Sequence, residues 1–184
     1  KKRNNAVYNS ALIPLRKIRL AGIPKEDFLP REMVIGNNGL LYVVGVNSSA
    51  VMVLDPEGNF LREILPRDKV LGVSEEASIY SLTRDKDGRL YFLSESRGRV
   101  FVYDQNEEPL FVFGLKGGGS GKLARPRGVA VDEKNKRVFV VDYLRHTVSV
   151  YASETGKHLF EFGGLGDGRG WLYFPTDVAV VTLL

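Results

Sequence analysis

The run KRVFVVDYLRHTVSVYASETGKHLFEFG, residues 136–163, decides the fold because it places three short apolar segments between turn formers. Residues 136–141, 147–152 and 158–163 are rich in Val, Phe, Tyr and Leu, which favour β-strands. The connections between them are short and contain turn residues such as Thr155 and Gly156. Because short loops join antiparallel neighbours, the run predicts a β-meander.

The same pattern occurs three times along the chain. Residues 39–64 and 88–114 repeat it, and Tyr42, Tyr91 and Phe139 are equivalent at spacings of 49 and 48 residues. Further pairs are each 49 residues apart: Gly114 and Gly163, Pro126 and Pro175, Val129 and Val178. With one more strand before each run, every unit has four strands, which is typical of a β-propeller blade. No segment shows sustained helical periodicity, so we expect an all-β propeller.

The apolar residues also predict how the blades pack. Consecutive apolar residues such as Val140 and Val141, or residues 100–103, indicate sheets that are covered on both faces. The first strand of each blade lies nearest the propeller axis, where space is limited. The small residues in 128–131 and 177–180 fit that position.

Two kinds of segment resemble the NHL-repeat family. Residues 113–132 and 162–180 resemble its Phe-Gly, glycine-rich link and Pro…Val-Ala-Val pattern, and residues 137–151 resemble its strand, turn and strand. In that turn His146 matches the family's His, while Arg145 and Thr147 replace its Asn and Arg. The resemblance extends over roughly residues 15–181. It implies a propeller, commonly six-bladed, in which a terminal strand closes the ring.

The repeat also predicts the organisation of the chain. We expect a basic tail over residues 1–14 and an NHL-type propeller over 15–184. Three full blades lie at about 31–65, 78–114 and 126–163, and a fourth begins at 175. Residues 15–20 are predicted to be the outer strand of another blade, and 176–181 the inner strand of the fourth. These strands are too few for a six-bladed ring. We therefore expect a partial propeller that further chain or another subunit completes.

Composition limits the class of protein and its location. A content of 43% hydrophobic and 26% charged residues is that of a globular protein, and no apolar run is long enough to span a membrane. Without cysteine, disulfides and Cys-ligated metals are excluded. The net charge of +4 comes from residues 1–19, which favours a basic leader over a polyanion-binding arm. The start at Lys1 and the resemblance to secreted bacterial NHL proteins predict an extracytoplasmic, periplasmic or secreted protein.

Catalytic chemistry has little support in the sequence. His146 and His158 are the only histidines, whereas a catalytic zinc generally needs three protein ligands. Residues 117–122 lack the spacing of a phosphate-binding loop, and no Gly-x-Ser-x-Gly motif occurs. We expect no catalytic residue, metal or cofactor. A propeller lyase or hydrolase is the alternative.

Binding residues are predicted on the face that carries the turns at 46–48, 95–97 and 143–145. An exposed Tyr143 with Arg97 and Arg145 is the leading protein-binding patch, since Tyr and Arg dominate hot spots. Trp171 is a second candidate, although it could equally pack under its own loop.

The link before the third blade is basic. Lys122, Arg125 and Arg127 lie there and make RNA binding a further alternative, but the corresponding links carry mixed charges. The sequence therefore predicts a non-catalytic binding or scaffold propeller for a protein partner or small ligand, with nucleic acid disfavoured.

Overall fold

The computed structural model describes residues 5–8, 14–46, 48–70 and 73–181, which contain strands, turns and loops but no helix. None of these residues therefore forms a helix able to cross a membrane. The strands are β1 Asn5–Tyr8, β2 Pro14–Ile18, β3 Pro30–Ile35, β4 Leu41–Gly45, β5 Val51–Leu54, β6 Phe60–Ile64, β7 Arg67–Val70, β8 Val73–Glu76, β9 Ser81–Arg84, β10 Leu90–Ser94, β11 Arg99–Tyr103, β12 Pro109–Phe113, β13 Pro126–Asp132, β14 Arg137–Asp142, β15 Thr147–Ala152 and β16 His158–Gly163.

Three four-stranded antiparallel sheets confirm the predicted blades. Blade 1 is β3–β4–β5–β6, blade 2 is β9–β10–β11–β12 and blade 3 is β13–β14–β15–β16, each in chain order. The inner strands β3, β9 and β13 lie side by side. We call the side where these inner strands begin the top face and the opposite side the bottom face. The links between blades and the turns at 48–50, 95–98 and 143–146 lie on the top face.

Each blade uses alternate residues to contact two neighbours. In blade 2, Leu90 and Phe92 pack against blade 1, while Tyr91 and Leu93 pack against blade 3. The side chains from blade 1 in the first interface are Tyr42, Val44, Val51 and Val53. The side chains from blade 3 in the second interface are Val129, Val138, Val140 and Tyr151. Blade 2 is therefore covered on both faces, as the consecutive apolar residues predict.

The two outermost faces of this stack differ. Ile18, Leu20 and Phe28 from the segment before blade 1 cover part of the free face of that blade. On the free face of blade 3, Phe162 is 47% exposed, whereas its equivalent in blade 2, Phe113, is 5% exposed beneath blade 3. The three blades therefore form a partial propeller with an open apolar face at one end.

Two segments form strands that the sequence does not predict. β1 lies in the segment expected to be a tail and pairs with β2, because a single strand without a partner is not stable in water. β7 and β8 form a hairpin in the link after blade 1, which was expected to be a loop. This hairpin carries mostly charged residues, so apolar periodicity gives no signal for it. Its ion pairs include Arg67 with Glu76.

The segment predicted as an inner strand, 176–181, has no β-partner among the described residues, and none of residues 175–181 is in a strand. A strand edge without a partner leaves its backbone donors and acceptors unpaired. The segment still lies beside β13, where a Cβ added to Gly128 would come within 2.9 Å of the Asp177 Cα. Glycine at position 128 is what permits this approach. Residues 182–184 are outside the described part of the chain.

The pair Phe113 and Phe162 gives a test of the inter-blade packing. Phe113→Ala removes a buried ring that lies 4.9 Å, centroid to centroid, from Tyr151, and should lower the free energy of unfolding by about 3–5 kcal/mol. Phe162→Ala, at the equivalent position of blade 3, should cost less than half as much, because the ring is half exposed. Urea unfolding of both variants measures the difference. Equal losses would contradict the packing described.

Candidate functional site

A buried carboxylate organises the top face at blade 3. Strand β14 ends at Asp142, which is fully buried and accepts hydrogen bonds from the backbone N–H groups of Ala124 at 2.5 Å and Arg125 at 3.0 Å. It also accepts from Leu144 and Arg145, each at 3.2 Å. One side chain thereby joins the link before blade 3 to the turn after β14. These are the two elements that carry Arg125, Arg127 and Tyr143.

The equivalent residues of the other two blades accept fewer hydrogen bonds from the backbone. Ser94 ends β10, and its hydroxyl accepts a hydrogen bond from the Arg97 N–H at 3.3 Å. Gly45 ends β4 and has no side chain; a Cβ there would meet the ring of Phe28 at 2.5 Å. The top face is therefore most strongly organised at blade 3.

Four side chains form what we call the Arg–Tyr ladder: Arg31, Tyr80, Arg127 and Tyr143. The Arg31 Cζ lies 3.9 Å from the centre of the Tyr80 ring, and the Arg127 Cζ lies 4.1 Å from the Tyr143 ring and 5.7 Å from the Tyr80 ring. Such contacts are attractive because the face of an aromatic ring is electron-rich. The ladder therefore alternates between guanidinium and phenol groups, and its residues come from all three blades.

The repeat explains why these residues meet. Glu32, Ser81 and Gly128 pair with equivalent residues of their second strands. Arg31, Tyr80 and Arg127 each come one residue earlier, at the start of an inner strand. Because the inner strands lie side by side, the ladder runs across the top of the propeller beside its axis.

The arginines at the ladder differ in their ion pairs. Arg125 and Arg127 share one carboxylate oxygen of Glu95, at 2.5 and 3.4 Å. The hydrogen bond to Glu95 raises the pKa of the Arg125 guanidinium. Arg31 forms no ion pair with any described residue.

Two acidic side chains, Glu32 and Asp177, lie close to each other near the ladder. Glu32 accepts a hydrogen bond from the Leu82 N–H at 3.3 Å, and burial raises the pKa of its carboxyl group. The negative charge of Asp177 acts in the same direction, whereas the positive charge of Arg31 acts against it. Asp177 is exposed and Glu32 is partly buried, so both carboxylates offset part of the positive charge of the ladder.

The structure places three of the seven predicted binding residues together. Arg125, Arg127 and Tyr143 meet at the ladder, where Tyr143 is half-buried and its ring lies 4.8 Å from that of Phe174. Arg97 forms an ion pair with Glu75 of the β7–β8 hairpin instead. Lys122 is exposed in the glycine-rich link.

Arg145 does not lie in an exposed patch with Tyr143 and Arg97, because its side chain is mostly buried. Its side chain is only 12% exposed and binds both carboxylate oxygens of Glu161, at 2.8 and 2.9 Å. It also donates to the carbonyl groups of Gly118 and Lys122. Arg145 holds the link against blade 3, because a planar guanidinium can bind a carboxylate and nearby carbonyls at once.

Trp171 was predicted either to bind a partner or to pack under its own loop, and its position is consistent with both. Its ring lies against its own link, since a Cβ added to Gly166 would meet the ring at 2.7 Å, yet the residue is 55% exposed. Trp171 is distant in sequence from the ladder residues, and no contact among the described residues connects it to them.

Sequence reasoning missed Arg31, Tyr80 and Glu95. A signal for the first two existed, because both lie at the start of an inner strand, in the same register as Arg127. Stacking between blades depends on side-chain orientation, which the repeat spacing alone does not give. Glu95 lies in a turn whose position relative to the next link becomes known only from the fold.

Both histidines have structural contacts. His146 is 8% exposed, accepts a hydrogen bond on Nδ1 from the Phe174 N–H at 3.0 Å, and lies 4.4 Å from the Phe174 ring. The edge of His158 packs on Tyr151 with ring centroids 5.4 Å apart, and its buried Nε2 has no hydrogen-bond partner among the described residues. Within those residues, no three His, Cys, Asp or Glu side chains are placed to hold a metal ion.

Comparison with known proteins identifies the repeat and the fold. Residues 123–151 match the family model of the NHL repeat. Virginiamycin B lyase from Staphylococcus aureus superposes with a TM-score of 0.61 at 16% identity, over 88% of this chain and 48% of that one. The RRP9 WD40 repeats give 0.59 at 17% identity, over 86% and 43%. Apo AztD from Citrobacter koseri gives 0.56 at 14% identity, over 90% and 42%.

These comparisons confirm NHL-type propeller blades and show no more than the fold, since all three identities are low. The chain spans less than half the length of each of these solved structures. No curated protein sequence matches it.

Asp142→Asn tests the organising carboxylate. The substitution removes the charge and turns one acceptor atom into a donor that faces a backbone N–H, so the free energy of unfolding should fall by about 2–3 kcal/mol. Asp167→Asn, at an exposed position of the next link, should change it by less than about 0.5 kcal/mol. Urea unfolding measures both. If Asp142→Asn left the free energy of unfolding unchanged, the carboxylate would not organise the top face.

The Arg145–Glu161 pair should make stability depend on pH. The hydrogen bond from Arg145 holds the pKa of Glu161 below its usual value of 4.5. Because the folded-state pKa is depressed, the ionised carboxylate stabilises the fold above pH 4.5, and this contribution is lost as the pH falls through the folded-state pKa. Wild type should thus be more stable than Glu161→Gln at pH 7, with the difference shrinking below pH 4.5. A difference that is constant with pH would contradict this assignment.

Proposed function

We propose that this array of NHL-type propeller blades is a non-catalytic binding module whose top face holds an acidic segment of a protein partner. The observation that carries the proposal is the Arg–Tyr ladder. A scaffold role for a propeller requires a fixed surface, and the ladder is built on three inner strands rather than on a single loop. Its side chains are therefore positioned before a partner arrives.

The chemistry of the ladder supports a carboxylate as the group recognised. A guanidinium that stacks on a phenol through its face keeps its edge, with several N–H donors, free to bind a planar carboxylate. Arg31 stacks at 3.9 Å and forms no ion pair with the described residues, so its edge is available. Arg and Tyr are also the residue types that contribute most at protein interfaces.

The contacts of the neighbouring basic residues argue against the RNA alternative. Lys116 donates to the carbonyl groups of Glu95 and Ala124, and Arg145 is bound to Glu161. These cations are used within the link, and few remain to neutralise a phosphate backbone.

Within the described residues, no three side chains are placed to hold a metal ion, which gives the enzyme alternative no support. The contacts of His146 and His158 support structural roles for both. The likeness to the lyases concerns the fold, and function depends on site residues rather than on the fold.

We also propose that the free face of blade 3 is covered by a fourth blade, from further chain or from another subunit. Phe160 and Phe162 are 41% and 47% exposed there, and the equivalent face of blade 2 is sealed by its neighbour. An apolar face of this kind favours burial.

A location outside the cytoplasm is the last part of the proposal. It rests on the basic segment at residues 1–19 and on the resemblance stated above. Fractionation of cells expressing the native gene tests it directly.

Fluorescence anisotropy with a labelled hexaglutamate peptide tests the binding proposal. Arg31→Ala and Arg127→Ala should each weaken binding about tenfold, equivalent to about 1.4 kcal/mol, because each removes one stacked guanidinium. Glu95→Gln should strengthen binding, since it releases two guanidinium groups. Lys134→Ala, an equal loss of charge on the bottom face, serves as the control and should have little effect.

Two outcomes would reject the proposal. In the first, the ladder variants bind the peptide no more weakly than Lys134→Ala. In the second, an oligouridine probe binds more tightly than the peptide and loses affinity steeply with salt, as phosphate contacts require.

A further inference from the structure

The bottom face carries a cleft that the proposed function does not use. It lies between blades 1 and 2 and has a volume of about 410 Å³. Its lining comes from the turns after β3, β9 and β11 and from the strands β4 and β10: Gly36, Asn37, Asn38, Tyr42, Gly88, Leu90, Gln105 and Asn106. We call it the amide cleft, because four of these side chains end in a carboxamide. The lining contains no charged side chain.

Comparison of two repeats shows which side chains form the cleft in the first copy. Residues 35–42 read IGNNGLLY and residues 84–91, which follow at a spacing of 49, read RDKDGRLY. In the second copy Asp85 is 2% exposed and binds the Arg89 side chain at 2.6 Å. It also accepts from the Tyr91 hydroxyl at 3.2 Å. In the first copy Gly36 and Leu40 replace that ion pair, and Asn38 and Tyr42 lie against position 36 instead, since a Cβ added to Gly36 would come within 2.6 Å of Asn38 Oδ1 and 2.7 Å of Tyr42 Cε2.

The polar groups around the cleft are held in fixed positions. The Tyr42 hydroxyl donates to Glu107 Oε1 at 2.8 Å and accepts from the Asn38 carboxamide at 3.3 Å. The charge of Glu107 is balanced by the ion pair with Arg62. The Asn37 carboxamide donates to the Lys86 carbonyl at 2.8 Å and accepts from Arg84 at 2.7 Å. The cleft is therefore an ordered polar surface without net charge.

Each carboxamide still has capacity for a ligand. A carboxamide offers two N–H donors and an oxygen with two lone pairs. Asn37 and Asn38 use one donor and one acceptor position each in the contacts given above and with the Leu40 N–H. The Gln105 side chain makes no hydrogen bond with any described residue. The carboxamides thus offer both donors and acceptors to a ligand, while Leu90 and the Tyr42 ring add apolar lining.

We propose that the amide cleft binds an uncharged polyhydroxylated ligand, a saccharide unit of one or two rings. Each hydroxyl group both donates and accepts a hydrogen bond, which matches neighbouring N–H and C=O groups of carboxamides. The volume lies within the range of small-molecule sites, about 300–1,000 Å³. A charged ligand would lose hydration without gaining an opposite charge. The site lies on the face opposite the Arg–Tyr ladder and does not depend on the peptide-binding proposal.

The test is an NMR titration of the ¹⁵N-labelled chain with cellobiose and N-acetylglucosamine as neutral probes. Saturable shifts should appear at the backbone amides of Gly36, Gly88, Gln105 and Asn106. Glucuronate and glucosamine, which carry a charge, should give weaker shifts at the same amides. Probe concentrations up to about 10 mM are sufficient to detect a Kd near 1 mM.

Two variants connect the shifts to the cleft. The double substitution Gly36→Asp with Leu40→Arg introduces the ion pair of the second repeat, displaces the Asn38 and Tyr42 side chains that lie against position 36, and should weaken binding at least tenfold. Gln105→Ala, at an exposed position, should weaken binding without changing the fold, whereas Ser120→Ala in a top-face link should not change it. Because Gln105→Ala needs no repacking, it keeps the test valid if the double variant does not fold.

Three results would overturn the inference. The first is the absence of saturable shifts at the cleft with either neutral probe. The second is undiminished binding by Gln105→Ala. The third is binding of the charged sugars as strong as that of the neutral ones.

Discussion

The structure depends on the burial of both faces of each sheet by its neighbours. A four-stranded antiparallel sheet of this length has two apolar faces and cannot cover them itself. Leu90 and Phe92 on one side of β10, and Tyr91 and Leu93 on the other, place blade 2 between two partners. The near-constant repeat of 49 residues follows from this, since each blade must present the same pattern to the next.

The two proposed binding sites lie where the repeats differ. Asp142 organises the top face at blade 3, while the equivalent residues of the other blades are Ser94 and Gly45. The Arg–Tyr ladder results from different residues at one repeated position. The amide cleft lies where Gly36 and Leu40 stand in place of an ion pair that the next repeat has. The packing residues keep the scaffold constant, and these substitutions give each surface its own chemistry.

Much of the fold could be predicted because apolar periodicity and spacing are local signals. The three sheets and their antiparallel order follow from residues such as Tyr42, Tyr91 and Phe139. The β7–β8 hairpin could not be predicted in this way, because charged residues with ion pairs form it. The absence of a strand at 175–181 depends on pairing with a partner, which local sequence does not encode.

The site was less predictable than the fold. The sequence predicted Arg125, Arg127 and Tyr143 as binding residues, and the structure brings these three together, whereas Arg145, predicted with them, is bound to Glu161. Whether a guanidinium faces a carboxylate, an aromatic ring or solvent depends on contacts between blades.

Native-state hydrogen exchange of the backbone amides tests the central claim, that neighbouring blades cover each other. The account predicts the slowest exchange in β10 and β11, which lie between two blades, and faster exchange in β16 and in residues 175–181. Exchange in β10 and β11 as fast as that in residues 175–181 would contradict it.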